Sequence, residues 1–321
     1  MPSLMLKGRA KWLRDLPSRV AFDVLNEPRV RLWLGQRHAA ALDRHTRSLP
    51  AVDATGIRIV DVLERQGVCV TSLDALGISG SDALVDTAWP LARDFAARAQ
   101  AKSRAGQQFI IVPPADIVRN PQIFLWGLND RLLDIAERYI GLPVAYDGVA
   151  INYTVADGQA IATRQWHRDR EDRRMLKVAV YLHDVDAEGG PFECITLPDT
   201  VRGDDEGYRY EFGDEASLRE RLGADFSRDL TSCTGLKGTV VFCDTARFFH
   251  RGKPATARDR AALFYSYFAN PPRHPFLCER SGISRAEVRR MVRGLPDRQR
   301  RAALWPQNLP PVLRLIPPQS L

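Results

Sequence analysis

The hydrophobic pattern of this 321-residue chain changes period at Val144. Before that point apolar residues recur at helical spacing, and after it short runs rich in Val, Ile, Tyr and Phe are bounded by Gly, Pro and Asp. The runs predicted as strands are 144–154, 175–185, 192–196, 238–243 and 260–268. Many short strands separated by turn signals favour a jelly roll or barrel. We therefore expect a mainly β core with flanking helices.

This pattern divides the chain into an N-terminal helical region, a β core and a C-terminal tail of short helices. The regions are residues 1–143, 144–270 and 271–321. The clearest predicted helices are 81–102 and 120–140, and the second begins with Asn-Pro and ends at Gly-Leu-Pro. Within the core, the charged and glycine-containing stretch 199–230 is predicted to be an insertion that acts as a lid.

Composition is that of an ordinary globular protein, with 45% hydrophobic and 26% charged residues. No apolar run is long enough to predict a membrane span, and the N-terminus lacks the apolar segment of a signal peptide. The five cysteines are scattered and form no C-x-x-C motif. This argues against a disulfide framework or a zinc site, and we expect a cytoplasmic protein.

The net charge of +7 is concentrated near the two ends of the chain. The basic residues there are Lys7, Arg9, Lys11, Arg14 and Arg19, then Arg285, Arg289, Arg290, Arg293, Arg298, Arg300 and Arg301. A solvated surface is the simpler interpretation. The alternative is attraction to an acidic partner such as a phosphorylated substrate, nucleic acid or anionic lipid.

The most informative motif is Gln-Trp-His-Arg-Asp at 165–169. Among the six histidines, only His167 has a carboxylate two positions later, at Asp169. On a strand, residues i and i+2 point to the same face, so both side chains could bind one ion. A carboxylate and an imidazole together suit Fe(II).

A third metal ligand should come from a later strand of the same core, and His250 follows the apolar strand 238–243. His183 is the second choice, and His274 lies beside prolines where a rigid ligand is harder to place. His167, Asp169 and His250 would form a 2-His-1-carboxylate facial triad, which holds non-haem Fe(II) and leaves coordination positions open.

Arg260 opens the last predicted strand, and an unpaired arginine inside a barrel would be costly to bury. A carboxylate co-substrate would be a good partner, because guanidinium grips carboxylate through two hydrogen bonds. We therefore predict that Arg260 anchors a 2-oxo acid, with Arg258 as the competing choice.

From about Ala145 to Phe268 the chain resembles the phytanoyl-CoA dioxygenase-like branch of the Fe(II)/2-oxoglutarate-dependent oxygenases. The matching features are the 165–169 motif, the Gly-Gly-Pro-Phe-Glu turn at 189–193, the Gly-Thr-Val-Val-Phe strand at 238–242, His250 and Arg260. The resemblance implies a double-stranded β-helix, that is a cupin-like jelly roll, as the catalytic core. It also implies iron at His167, Asp169 and His250, with 2-oxoglutarate on Arg260 and O2 as the other co-substrate.

The resemblance further implies polar co-substrate contacts on neighbouring strands. Asn152 and Thr154 share one face of the preceding strand, and Lys177 lies on the following one. Family members often carry a small hydroxyl residue two positions after the distal histidine, where this chain has Gly252.

The implied activity is hydroxylation of a C–H bond in a small molecule, with release of succinate and CO2. The carboxylate at Asp169 favours hydroxylation, because relatives with Ala or Gly at this place favour halogenation. Acyl, lipid, sugar and amino-acid-derived substrates all remain open, including an anionic or carrier-linked one.

Two alternatives remain. An AlkB-like nucleic-acid demethylase would share the chemistry and fit the basic charge and the H-x-D-x-x-D run ending at Asp172. That family pairs its co-substrate arginine with a second arginine six residues on, and here Ser266 follows Arg260 at that spacing. The other alternative is a cupin that does not use 2-oxoglutarate, either a metal-dependent enzyme or a binding protein, and in it Arg260 would be dispensable.

Overall fold

Two five-stranded antiparallel sheets form the centre of the protein, in a computed structural model that describes residues 2–196, 207–208, 212–223 and 225–319. In chain order the strands are β1 (Val68–Ser72), β2 (Val144–Thr154), β3 (Trp166–His167), β4 (Leu176–Tyr181), β5 (Phe192–Ile195), β6 (Phe212–Gly213), β7 (Leu230–Cys233), β8 (Thr239–Asp244), β9 (His250–Gly252) and β10 (Arg260–Ala269). The large sheet has the order β1-β8-β4-β10-β2, and the small sheet has the order β6-β3-β9-β5-β7.

The path of the chain between the two sheets is that of a jelly roll. Strands β2 to β5 alternate between the large and the small sheet, β5 pairs with β7 in the small sheet, and β7 to β10 alternate again. The predicted fold class, a double-stranded β-helix core with flanking helices, is therefore confirmed. Strand β1, which precedes the predicted core region, extends the large sheet by pairing with β8.

Several strand predictions need correction. The predicted strand 175–185 is shorter, because β4 ends at Tyr181. Strands β3, β6, β7 and β9 are not among the strand runs predicted from the apolar pattern, and each has only two to four residues. Segments this short cannot show a recognisable alternation of apolar and polar residues.

Helices flank the sheets at both ends of the chain. They are α1 (Pro2–Asn26), α2 (Pro28–His45), α3 (Ala54–Gln66), α4 (Leu73–Leu76), α5 (Ser81–Arg104), α6 (Pro114–Arg119), α7 (Pro121–Trp126), α8 (Asp130–Ile140), α9 (Glu215–Leu222), α10 (Arg285–Met291), α11 (Asp297–Ala303) and α12 (Pro311–Arg314). Single 3-10 turns lie at Thr46–Ser48, Ala162–Arg164, Phe226–Asp229, Pro275–Leu277 and Trp305–Asn308. Within the described ranges, no helix combines the length and the apolar character needed to cross a bilayer.

The single helix predicted over 120–140 is wrong, because the structure has α7 and α8 with a break at Gly127. A Cβ atom at Gly127 would lie 2.5 Å from the Tyr146 hydroxyl and 2.5 Å from a ring carbon of Tyr265. The Gly127 carbonyl accepts a hydrogen bond from the Tyr267 hydroxyl at 2.7 Å, and the Asn129 side chain caps the start of α8. Tertiary contact with the large sheet therefore ends α7 at a place where the apolar pattern continues.

Three buried tyrosines attach α7 to the outer face of the large sheet. The hydroxyls of Tyr146, Tyr265 and Tyr267 each donate to a backbone carbonyl in the 123–127 segment, at 2.7 to 3.0 Å. These carbonyls lie in the last turn of a short helix or directly after it, where intrahelical partners are lacking. The opposite face of the same sheet is thus left to line the interior between the two sheets.

Candidate metal centre

Three buried side chains converge where the two sheets open. His167 in β3 and His250 in β9 are register partners in the small sheet, and Asp169 follows two residues after His167. The Nε2 atom of His167 lies 3.8 Å from Asp169 Oδ1, and the Nε2 atom of His250 lies 3.7 Å from Asp169 Oδ2. All three residues are at most 6% exposed, and their ligand atoms lie within 4.8 Å of one another. The arrangement can hold one metal ion between two imidazoles and one carboxylate.

Backbone carbonyls orient both imidazole rings. Nδ1 of His167 lies 2.8 Å from the Gln165 carbonyl, and Nδ1 of His250 lies 3.2 Å from the Phe248 carbonyl. Only a protonated Nδ1 can donate to a carbonyl, so each ring turns the Nε2 lone pair toward Asp169. Burial lowers the pKa of both histidines, which favours the neutral form that binds metals.

Asp169 reaches the site from a loop, which corrects the expectation that the H-x-D pair shares one strand. Strand β3 ends at His167, and the backbone amide of Asp169 donates to the Thr245 carbonyl at 2.7 Å. Lys177 Nζ lies 2.5 Å from Asp169 Oδ2. Burial opposes ionisation of Asp169, but Lys177 and the two histidines overcome it and hold the pKa of the carboxyl well below its ordinary value.

Arg260 lies inside the barrel at the start of β10 and is 4% exposed. Its guanidinium donates to the Gly190 carbonyl through Nη1 and to the Thr154 hydroxyl through Nη2, the latter at 3.1 Å. The buried Nε has no hydrogen-bond partner, and no carboxylate pairs with this side chain among the described residues. Burial lowers the pKa of Arg260, as expected for a cation without a counter-ion. A bound anion could therefore accept a hydrogen bond from Nε of Arg260 and supply the missing negative charge.

The departure from the family pattern at Gly252 has a steric reason. A Cβ atom at Gly252 would lie 2.7 Å from Nη2 of Arg260. Gly252 stands two residues after His250, so both lie on the same face of β9. The guanidinium of Arg260 thus occupies the space that a larger residue at 252 would need, close to the histidine at the start of the strand.

The structure separates the predicted alternatives. Arg258 is exposed and forms an ion pair with Asp186, so Arg260 is the arginine that lies inside the barrel. His183 accepts a hydrogen bond from the Ala261 amide at 3.0 Å and is not part of the metal-ligand group. Asn152 is half-buried on the same strand face as Thr154, opposite Ala262 of β10.

His274 is fully buried but also lies apart from the triad. One ring nitrogen faces the Arg170 carbonyl at 2.6 Å, and the other faces the Asn26 side chain at 3.0 Å. This histidine joins α1 to the loop that follows Asp169.

Sequence reasoning missed the backbone carbonyls of Gln165, Phe248 and Gly190. They orient His167, His250 and Arg260, respectively, and any residue type supplies a carbonyl. The Gly-Gly-Pro turn at 189–191 was the one available signal, since Gly190 adopts a positive φ of 71°.

The predicted insertion at 199–230 is described only in part, because residues 199–206, 209–211 and 224 lie outside the described residues. Its helix α9 packs over the outer face of the small sheet, where Leu218 and the buried Trp166 belong to one apolar cluster. Arg251 joins the two layers, donating to Glu193 at 2.7 Å and to Glu215 at 2.8 Å. A lid role for the insertion stays a prediction.

No protein-family model matches the chain, and no curated protein matches its sequence. Solved structures with partial similarity include EctD from S. alaskensis with 2-oxoglutarate and 5-hydroxyectoine, at 23% identity, 69% coverage of this chain, 77% of that chain and a TM-score of 0.47. The epimerase SnoN, in complex with Fe3+, alpha ketoglutarate and nogalamycin RO, is 16% identical in sequence. The match covers 72% of this chain and 88% of SnoN, with a TM-score of 0.44. HygX from Streptomyces hygroscopicus, with nickel and 2-oxoglutarate bound, is 14% identical in sequence. The match covers 68% of this chain and 90% of HygX, with a TM-score of 0.41.

Proposed function

We propose that the protein is an Fe(II)/2-oxoglutarate-dependent dioxygenase that hydroxylates a C–H bond of a small molecule and releases succinate and CO2. The observation that carries the proposal is the buried convergence of His167, Asp169 and His250. Two neutral imidazoles and one ionised carboxylate form the donor set that suits non-haem Fe(II) and leaves positions open for other ligands. These three residues would hold the iron.

Arg260 supports 2-oxoglutarate as the co-substrate. A buried guanidinium without a carboxylate partner among the described residues is costly, and a bound dicarboxylate would offset that cost. Thr154 would help by fixing Nη2 of Arg260, to which it is hydrogen-bonded. Asn152 and Lys177 remain predicted co-substrate contacts.

Bound iron, 2-oxoglutarate and O2 together would supply the oxidising chemistry. The chain's own contribution is to orient the two imidazoles, to keep Asp169 ionised and to place a fixed positive charge at Arg260. The burial of all four side chains would keep bulk water away from the reacting groups.

The substrate would enter the part of the interior that is not filled by core side chains. Ala150, Phe264 and Ser266 are half-buried and lie on the strand faces that line this interior. An apolar surface with few polar groups fits a small organic molecule. The net charge of +7 supports an anionic or carrier-linked substrate, and the free thiols of all five buried cysteines support a cytoplasmic location.

The nucleic-acid demethylase stays the less supported alternative. Asp172, which completed the H-x-D-x-x-D run, accepts hydrogen bonds from the backbone amides of Arg173, Ala269 and Arg273. The Asp172 side chain therefore stabilises the backbone around the loop that follows Asp169, which accounts for this residue without a role in catalysis.

The test is an anaerobic titration of the Fe(II) protein with 2-oxoglutarate, followed through the visible metal-to-ligand charge-transfer band of the chelate. Wild type should show the band, and Arg260→Ala should need at least about 100-fold more 2-oxoglutarate, because charge-assisted bidentate contacts contribute about 3 kcal/mol. Arg258→Ala, which removes an exposed arginine two residues away, should behave like wild type. A protein that binds iron without the band would instead be a cupin that does not use 2-oxoglutarate.

A further inference from the structure

Each of the three proposed metal ligands has a second contact that fixes its side chain. For the two histidines that contact is a backbone carbonyl within two residues in sequence. For Asp169 it is the ammonium group of Lys177, at 2.5 Å from Oδ2. Ligands of metal sites depend on such outer contacts for their orientation.

Asp169 needs this contact more than the histidines do. His167 and His250 lie in paired strands, whereas Asp169 lies beyond the end of β3. A ligand carried by a loop is placed less precisely than one carried by a strand. Lys177, in contrast, lies in β4, the central strand of the large sheet, opposite Cys243 on one side and Ser266 on the other.

The contact is also well shielded. The side chain of Asp169 is 8% exposed and that of Lys177 is 21% exposed. A hydrogen bond between opposite charges is stronger in such surroundings than on an open surface. The ammonium therefore restrains the orientation of the Asp169 carboxylate.

We propose that Lys177 is a positioning residue of the metal centre, whose hydrogen bond holds the Asp169 carboxylate facing the Nε2 atoms of His167 and His250. This inference rests on the proposed function, because it assumes that a divalent ion binds the triad. In this role Lys177 binds a metal ligand, which differs from the contact with 2-oxoglutarate that the sequence predicts.

Charge alone makes the opposite prediction, which gives the inference a sharp test. An ammonium group close to a divalent ion repels it, so a purely electrostatic role means that removing Lys177 tightens metal binding. A positioning role means that removing it weakens metal binding, although a positive charge is lost. The sign of the change in affinity therefore separates the two.

The experiment is calorimetric titration of the metal-free full-length protein with Mn²⁺, without 2-oxoglutarate. We expect Lys177→Met, which keeps the length of the side chain, to weaken Mn²⁺ binding by about 10- to 100-fold. Lys177→Arg, which keeps both charge and donor, should restore most of the affinity. Lys237→Met, at a half-exposed lysine paired with Asp86, serves as the matched control and should leave affinity unchanged.

Thermal unfolding of the metal-free variants shows whether each is folded before titration. If wild type binds Mn²⁺ and Lys177→Met binds it equally well or more tightly, the positioning role is overturned and the proposed function stands. If wild type binds no Mn²⁺, the proposed function fails and this inference falls with it. If Lys177→Met is weak and Lys177→Arg is equally weak, the hydrogen bond is not the cause and the inference is also overturned.

Discussion

At the residue scale, Gly252 sets how closely β9 approaches the guanidinium of Arg260. A Cβ atom there would lie 2.7 Å from Nη2, which is closer than real contacts of this kind. The guanidinium cannot simply move away, because the Gly190 carbonyl and the Thr154 hydroxyl hold it. Space at residue 252 is therefore part of the proposed co-substrate pocket.

We expect Gly252→Ala to weaken 2-oxoglutarate binding by at least about tenfold, or about 1.4 kcal/mol, by displacing Arg260. The charge-transfer titration of the Fe(II) protein measures this change. Gly35→Ala is a matched control, because a Cβ atom at that helical position meets nothing within 4 Å. Unchanged 2-oxoglutarate affinity in Gly252→Ala would show that the position of Arg260 does not govern co-substrate binding.

The side chains of the proposed site were predictable at this scale, and their supporting groups were not. The H-x-D spacing, the apolar strand before His250 and the position of Arg260 are visible in the sequence. The contact between Lys177 and Asp169 joins a loop to a strand of the other sheet, so only the fold reveals it. The backbone carbonyls that orient His167, His250 and Arg260 could not be predicted either, because every residue type has a carbonyl.

At the scale of elements, the attachment of α7 to the large sheet explains why the segment 120–140 forms two helices, α7 and α8, where the sequence predicts one. Tyr267 donates to the carbonyl of Gly127 at the break, and its side chain is fully buried. The apolar periodicity of 120–140 continues through this break, so the pattern could not show it. The apolar pattern could not delimit the short strands β3 and β9, which carry the two histidines, because they contain two and three residues.

We expect Tyr267→Phe to lower the free energy of unfolding by about 1 to 2 kcal/mol, because it leaves the buried Gly127 carbonyl without its donor. Urea denaturation measures this change. The charge-transfer band should be unaffected, since Tyr267 lies on the face of β10 opposite to Arg260. A stability equal to that of wild type would mean that the break at Gly127 is fixed by packing alone.

Asp147 of β2 links this strand to the C-terminal tail. Asp147 accepts hydrogen bonds from the backbone amides of Glu279 and Arg280. Burial raises the pKa of Asp147 from 3.8 to about 7, although these hydrogen bonds oppose the shift. The folded protein thus holds a proton on Asp147 at pH values where the unfolded chain has released it, so this group favours folding at low pH and ceases to do so as pH rises through about 7.

We expect wild type to lose stability relative to Asp147→Asn as pH rises from about 4 to 8. The difference should be at most about 4 kcal/mol, since each unit of pKa shift corresponds to about 1.4 kcal/mol. Urea denaturation at several pH values in this range measures the difference in free energy of unfolding between the two proteins. The prediction concerns how this difference changes with pH, not its value at one pH. A difference that stays constant with pH would contradict the raised pKa of Asp147.

At the scale of the whole molecule, the two sheets bring together residues that lie far apart in sequence. His167 and Asp169 come before β4, His250 opens β9, and Arg260 opens β10. The jelly-roll order places β9 beside β3 and β10 beside β2, so the four side chains share one interior. The sequence predicted the class of fold from its strand pattern, but the pairing of the strands needed the three-dimensional structure.

The most direct measurement of the central claim is anomalous diffraction at the iron edge from crystals grown anaerobically with Fe(II) and 2-oxoglutarate. The account predicts one iron peak bounded by His167, Asp169 and His250, with the distal carboxylate of 2-oxoglutarate on Arg260. An iron peak elsewhere, or the absence of iron from these three side chains in saturated crystals, would contradict it.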